Sequence, residues 1–422
     1  MVWEYPTSIL ITRLPTAKYL AANTVFWGAV VALTATCSSF TGLMTVRFLL
    51  GVAESTITPG FMFLTSTWYT RDEMPTRLAI WFAGNSIGGL CSSLLAYGVG
   101  NMGNDGALKP WRWMYVILGT GTLLWAIPLF LFLPDRISKA RFLDEKERRI
   151  ASERVRLAGT GITENATWKF SQVKECLIDP KTWLILSIEL LTQIPNGGTH
   201  SFSNIVITSF GFTDLESTLI NIPYSIISAT IIYSTGWLAG RYRTLNCLLI
   251  IAAVLPCVLG STVIYHRDQV GRGVQLLAYF LLSSGPTAMP LNMSLVQANY
   301  RGVTKKMTIT AMMFGAYCAG NIIGPHFFRA SEAPTYDTAF RTITACYTLV
   351  IILALTLKGY LQFTNALRAV KEGISSSTGD SGAVIDSWSH SATEGAPSER
   401  ATEPTNYDDS TDWETKGFRY RF

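Results

Sequence analysis

Ten apolar stretches, each long enough to cross a bilayer as a helix, constrain this chain more than any motif does. A hydrocarbon core about 30 Å thick needs roughly 20 apolar helical residues. Segments 19–37, 43–69, 78–99, 113–133, 183–207, 217–239, 245–265, 274–297, 306–328 and 341–363 meet that length. An eleventh, 1–14, is shorter and reads as the second half of a span. Pro59-Gly60, Pro195, Pro223, Pro256 and Pro286 lie inside these stretches. Such residues break soluble helices, whereas neighbours in a membrane bundle re-satisfy the freed backbone groups. Gly84, Gly88, Gly89, Gly98 and Gly100, all near or within one span, suit close helix–helix packing.

Composition excludes the soluble classes. Hydrophobic residues make up 49% of the chain and charged ones only 15%, against about 25% charged in ordinary globular proteins. Much of that charge sits in two polar stretches. Residues 134–181 hold 11 Lys/Arg and 8 Asp/Glu, and the tail from Lys371 onward holds 10 Asp/Glu. The net charge of +5 forms no basic stripe, so no nucleic-acid partner is expected. The seven cysteines include no C-x-x-C pair and the four histidines are scattered, which argues against a zinc site or any metal centre. No ATP-binding G-x-x-x-x-G-K-[ST] run is present, and no nucleophile or cofactor constellation marks an enzyme. The expected class is an all-α polytopic membrane protein without cofactors.

Loop charge sets orientation. The strongly basic loop 134–181 is expected in the cytoplasm, with Arg13/Lys18, Arg71/Arg77, Arg241/Arg243 and Arg301/Lys305/Lys306 on the same side. Cytoplasmic placement makes the glycosylation match at Asn165-Ala166-Thr167 spurious. Six spans follow the loop, so the C-terminal tail is cytoplasmic too. Four full spans and a fragment precede it, and a symmetric arrangement would need one more helix and the start of the next. The domains expected are an N-terminal bundle over 1–133, a central loop over 134–181, a C-terminal bundle over 182–365 and a disordered tail over 366–422. The tail is rich in Ser, Thr and acidic residues and lacks apolar periodicity.

Particular motifs go further. Trp3-Glu4-Tyr5-Pro6-Thr7, Arg47-Phe48-Leu49-Leu50-Gly51-Val52-Ala53-Glu54 with Pro59-Gly60-Phe61, and Trp68-Tyr69-Thr70-Arg71-Asp72-Glu73 together resemble the fungal anion:cation symporters of the major facilitator superfamily. Thr304-Lys305-Lys306 and Gly320-Asn321-Ile322-Ile323-Gly324-Pro325-His326-Phe327-Phe328-Arg329, continuing to Glu332-Ala333-Pro334-Thr335-Tyr336, resemble its allantoate-permease branch. The resemblance covers about residues 1–365. It implies two six-helix bundles around a central site with alternating access, here lacking the first helix and part of the second, so that about 10–11 spans remain. The loop motif usual after the second helix is degenerate. Its counterpart, Gly236-Trp237-Leu238-Ala239-Gly240-Arg241-Tyr242-Arg243, is recognisable and is expected to brace helices on the cytoplasmic side.

Arg47 and Glu54 form the most informative pair. Seven residues is nearly two helical turns, which puts both on one face about 10 Å apart along the axis. A buried ion in a span faces a cavity or a partner, so an internal ion pair that locks helices competes with a functional reading. The resemblance implies that Arg47 holds the anion and Glu54 loads the proton. Low-dielectric surroundings favour a neutral carboxyl, which suits reversible protonation. Glu4 opens the truncated span and is a second candidate carboxylate. Glu189 and His200 flank Pro195-Asn196-Gly197-Gly198, an interruption that suggests a broken helix. His200 is a candidate proton relay or gate.

Asn85, Asn292, Gln297, Tyr317 and Asn321 are polar groups inside spans, able to line a substrate cavity or to make interhelical hydrogen bonds. Lys305 and Lys306 read as cytoplasmic anchors. Arg71, Asp72, Glu73 and Arg77, with Arg241 and Arg243, read as a cytoplasmic latch.

The expected activity is proton-coupled uptake of a small organic anion, such as allantoate, ureidosuccinate or a short peptide, by a monomer in the plasma membrane. Two alternatives stay open: export of a pathway metabolite, and a truncated, non-transporting or regulatory relative.

Overall fold

The computed structural model of the chain describes residues 3, 6–7, 10–11, 14–70, 72–101, 108–157, 168–242, 244–371, 409–415 and 417–422. The regular structure in these residues is helical throughout. Helix α1 (Thr16–Thr34) starts where the Asp135 carboxylate accepts a hydrogen bond from the Ala17 amide at 3.1 Å, a negative charge meeting the positive end of the helix. Helix α2 (Phe40–Glu54) is capped by Ser39, whose hydroxyl accepts from Gly42 N at 3.1 Å. It breaks at Ser55-Thr56 and continues as α3 (Ile57–Trp68), with Pro59 in the first turn, where its missing N–H costs no helical bond. Helices α4 (Met74–Gly100) and α5 (Pro110–Phe132) follow, each with Pro among its first residues. The central loop carries α6 (Glu145–Leu157) and α7 (Phe170–Ile178).

The second half holds α8 (Pro180–Ser209) and α9 (Asp214–Arg241). A reciprocal capping box starts α9: the Glu216 carboxylate accepts from Thr213 N at 2.8 Å while Thr213 Oγ1 accepts from Glu216 N at 3.4 Å. Helix α10 (Asn246–Tyr265) follows. The next span is split: α11 (Arg272–Leu281), a tighter 3-10 stretch at Leu282–Thr287 containing Pro286, then α12 (Ala288–Asn299). Helices α13 (Val303–Ile323) and α14 (Asp337–Lys371) complete the set.

Helices α1, α2, α3 and α5 pack mainly among themselves, as do α8 and α10 to α14, whereas α4 and α9 pack mainly along each other and join the two groups. Small residues set that approach. A side chain at Gly236 would run into Ala79, and one at Gly240 into Thr76. The Thr76 hydroxyl donates to Gly236 O at 3.2 Å, and Ser86 and Ser228 hydrogen-bond at 3.2 Å further along. The main apolar core lies in the second group, around Ile185, Ile188, Ile250, Val254 and Leu291. Outward faces are the reverse of a soluble protein's: Phe48, Trp125 and Phe132 are 74%, 64% and 77% exposed, which lipid satisfies and water does not.

Seven helices among the described residues are long and apolar enough to cross a membrane, fewer than the ten stretches expected. The differences have separate causes. Helix α1 carries Lys18 and Asn23, α8 carries Glu189, Gln193, Asn196 and His200, and the α11–α12 span is divided by its 3-10 stretch. The break expected at Pro195-Asn196-Gly197-Gly198 is absent. Helix α8 runs unbroken for 30 residues, and the glycines instead admit α13, since a side chain at Gly197 would come within 2.6 Å of the Asn321 backbone.

Two further expectations are corrected. The end of the tail, expected to be disordered, is folded against the loop-side ends of α8, α12, α13 and α14: Thr411, Asp412, Phe418 and Tyr420 are all buried. Lys305 is no surface anchor. It is fully buried and ion-pairs with Glu175 at 2.7 Å, Asp179 at 3.2 Å and Asp412 at 2.7 Å.

Candidate functional site

The seven-residue spacing of Arg47 and Glu54 spans the second half of α2, with Glu54 as its last residue. Both side chains are exposed, and no ion pair joins them among the described residues. Arg47 Nη2 donates to the Tyr115 hydroxyl of α5 at 2.9 Å, and its guanidinium lies 6.0 Å from that ring's centre. A neutral phenol fixes its direction without cancelling its charge. Around Glu54 the chain is pinned by polar contacts: Asn23 Nδ2 donates to Ala53 O at 2.8 Å, and the hydroxyls of Thr7 and Thr56 hydrogen-bond at 2.8 Å.

A second constellation joins α8, α12 and α13. Glu189 is fully buried, and its carboxyl accepts from Asn292 Nδ2 at 2.8 Å and from Gln193 Nε2 at 3.1 Å. Asn292 Nδ2 also donates to Ile185 O at 3.2 Å. Gln193 Oε1 accepts from Asn196 Nδ2 at 3.1 Å and from Asn321 Nδ2 at 3.3 Å, and Asn321 also donates to Tyr317 O at 2.9 Å. Asn292 and Asn321 thus belong to one chain of amides, close to the half-buried Tyr317. Asn85 is exposed on α4 and His200 on the later half of α8, and neither joins this chain. Sequence reasoning gave Glu189 and Gln193 no function. The available signal was an acidic residue about 14 Å into an apolar helix, four positions before a glutamine that shares its face.

The residues read as a latch divide. Glu73 ion-pairs with Arg154 of α6 and accepts from Thr70 N and Oγ1, both at 3.1 Å. Burial pushes its carboxyl up, but the Thr70 and Arg154 hydrogen bonds outweigh that and hold it below the usual glutamate range. Arg77 stacks its guanidinium over Tyr69 at 4.6 Å, and Arg241 is exposed at the end of α9. Asp72 pairs with Arg421 of the tail at 2.6 Å. Glu4, Arg71 and Arg243 lie outside the described residues.

Long apolar helices with lipid-type outer faces, close glycine-mediated packing and polar groups at mid-span define a multi-pass helical membrane protein. A profile of the Major Facilitator Superfamily matches residues 4–325, and the chain belongs to that family of secondary transporters. It is 32% identical over 370 residues to an uncharacterized transporter of Schizosaccharomyces pombe, covering 87% of this chain and 70% of the relative. It is 31% identical to the allantoate permease of Saccharomyces cerevisiae over 80% of this chain and 63% of that protein. A thiamine pathway transporter of the same yeast is 30% identical over 80% and 64%. Among solved structures, the Escherichia coli fucose:proton symporter superposes with a TM-score of 0.60 at 13% identity over 85% of this chain and 87% of its own. The proton:xylose symporter XylE superposes with a TM-score of 0.63 at 11% identity, over 84% and 82%. These likenesses show the fold; the family shows a transporter and not an enzyme.

Proposed function

We propose that the protein carries a small organic anion, of the allantoate, ureidosuccinate or short-peptide kind, into the cell together with a proton. Two helical bundles, one on each side of the 134–181 loop, expose the site alternately to the two faces of a fungal plasma membrane. The observation that carries this reading is Arg47: a guanidinium on a spanning helix, hydrogen-bonded to the neutral Tyr115 and ion-paired with no carboxylate among the described residues. A cation on a spanning helix is costly unless it faces a water-filled cavity or an anion, and a substrate carboxylate fits the guanidinium fork. Glu54, two turns on, takes the proton that balances the substrate's charge. Asn85, Tyr317 and Asn321 supply neutral polar contacts, while Asn292, fully buried, stays within the amide chain behind them. The 31% identity to allantoate permease supports the substrate class.

The test is uptake of labelled allantoate by yeast lacking its own permease, in acidic and in neutral medium. Arg47→Gln removes a charge-assisted contact worth about 1.5–3 kcal/mol and is expected to weaken apparent affinity roughly ten- to a hundredfold. Glu54→Gln is expected to leave exchange of internal for external substrate intact while abolishing accumulation against a gradient. Accumulation by Glu54→Gln equal to wild type, with unchanged dependence on medium pH, overturns the assignment of the proton to Glu54.

A further inference from the structure

The anion and proton sites just proposed leave one buried acid unused. Glu189 lies near the middle of α8, fully buried, and both its oxygens accept hydrogen bonds from neutral amides, Asn292 on α12 and Gln193 on its own helix. Among the described residues no cation pairs with it. The lysines of α8 and α13 lie towards the helix starts: Lys181 pairs with Asp179 and Asp412, Lys305 with Glu175, Asp179 and Asp412, and Lys306 follows Lys305 in the first turn of α13. Lys181 is eight residues back, about 12 Å along the helix. His200 is eleven residues ahead and exposed. Tyr317 on α13 reaches the cluster through its carbonyl oxygen, which accepts from Asn321. Tyr360 and Arg368 of α14 lie with the charges at the start of α8.

An ionised carboxylate in this position would be a buried charge with no countercharge, which costs several kcal/mol even after two amide hydrogen bonds. The cluster is also short of donors. Asn292 Oδ1 is buried with no hydrogen-bond partner, while both Glu189 oxygens already accept. A proton on Glu189 removes the charge, and it adds a hydroxyl donor to a cluster that holds an orphaned acceptor. It is also the one cation that needs no cavity. We therefore propose that Glu189 is a proton-binding site inside the second helix group, separate from Glu54. Its charge state is felt at the α8–α13 contact through Gln193, which ties it to Asn321 where Gly197 and Gly320 let the two helices approach closely.

The test needs no substrate, so it stands or falls separately from the transport reading. Purified protein in lipid is moved from acidic to alkaline buffer while the infrared carbonyl band of protonated carboxyl groups is followed. Wild type and Glu54→Gln are both expected to lose a band that Glu189→Gln never shows, and Glu189→Asp is expected to show it displaced. Back-titration over the same range should find one proton fewer per molecule in Glu189→Gln. The same band and proton count in Glu189→Gln as in wild type would overturn the proposal, as would a wild type with no such band. Should Glu189→Gln fail to fold, the displacement in Glu189→Asp decides the matter in the same way.

Discussion

Replacing Lys305 with methionine is expected to destabilise the protein by about 3–5 kcal/mol, the cost of removing one partner from a buried ion cluster. The cluster closes the loop side of the second helix group. Two ammonium groups, Lys181 and Lys305, face three carboxylates: Glu175 of α7, Asp179 before α8, and Asp412 of the tail. Both lysines and the two aspartates are almost wholly buried. Tyr420 donates to Asp412 Oδ2 at 2.7 Å, and Arg368 donates to Tyr420 Oη at 2.8 Å, so the tail is held by a network and not by one contact. Methionine keeps the volume of the lysine stem, takes from Glu175 its lysine partner and leaves Asp179 and Asp412 with Lys181 as their one ammonium. Thermal unfolding in detergent, read by intrinsic fluorescence, measures the loss; an unchanged midpoint would show that the charges contribute nothing. Deleting residues 409–422 first removes one of the three carboxylates. The cost of Lys305→Met should then fall, and the difference measures the coupling.

The same network sets a pH dependence. Burial pushes the Asp412 carboxyl up, but the ammonium groups of Lys181 and Lys305 outweigh burial and hold it below the usual aspartate range. A carboxyl depressed in the folded state contributes stability that is present above its unfolded value and lost as pH falls through its folded value. The tail is therefore expected to stay docked at neutral pH and to loosen only in strong acid. Limited proteolysis of the tail across an acid series reads this directly, and release at mildly acidic pH would contradict it.

The spans were legible because a bilayer imposes a length and a polarity that need no knowledge of neighbours. Segments 78–99, 217–239 and 245–265 fall inside α4, inside α9 and almost wholly inside α10. What escaped depends on partners far along the chain. Pro195-Asn196-Gly197-Gly198 has the composition of a break, and only the proximity of Asn321 and Phe328 makes its glycines packing residues. The tail shows no periodicity because ion pairs and backbone contacts hold it, and the Lys181 that receives Asp412 stands 231 positions away. Asn292 and Asn321 were recognisable as polar groups within spans, but that they share one amide chain with Glu189 depends on how α8, α12 and α13 cross. Arg47 and Glu54 stood out because a charge within an apolar run is conspicuous whatever surrounds it.

That crossing supplies the second large effect. Gly197→Val is expected to destabilise the protein by about 1–3 kcal/mol, the usual cost of overpacking, and to break the amide chain as well. A Cβ at Gly197 would lie 2.6 Å from Asn321 Cα and 2.9 Å from Asn321 O. These are backbone atoms of a helix that Gly320 and Gly324 already hold against α8, so no flexible side chain can yield. Separating α8 from α13 at this level stretches the 3.3 Å bond between Asn321 and Gln193 and leaves Gln193 Oε1 with Asn196 alone. The control lies on α13 itself. A Cβ at Gly315 would meet nothing within 4 Å, so Gly315→Ala removes only the entropic penalty of a helical glycine and should be neutral or stabilising by up to about 1 kcal/mol. Opposite signs for the two substitutions, measured as shifts in thermal midpoint, are what close approach at one glycine and open space at the other require. Equal shifts would mean that α8 and α13 do not meet as tightly at Gly197 as this geometry demands.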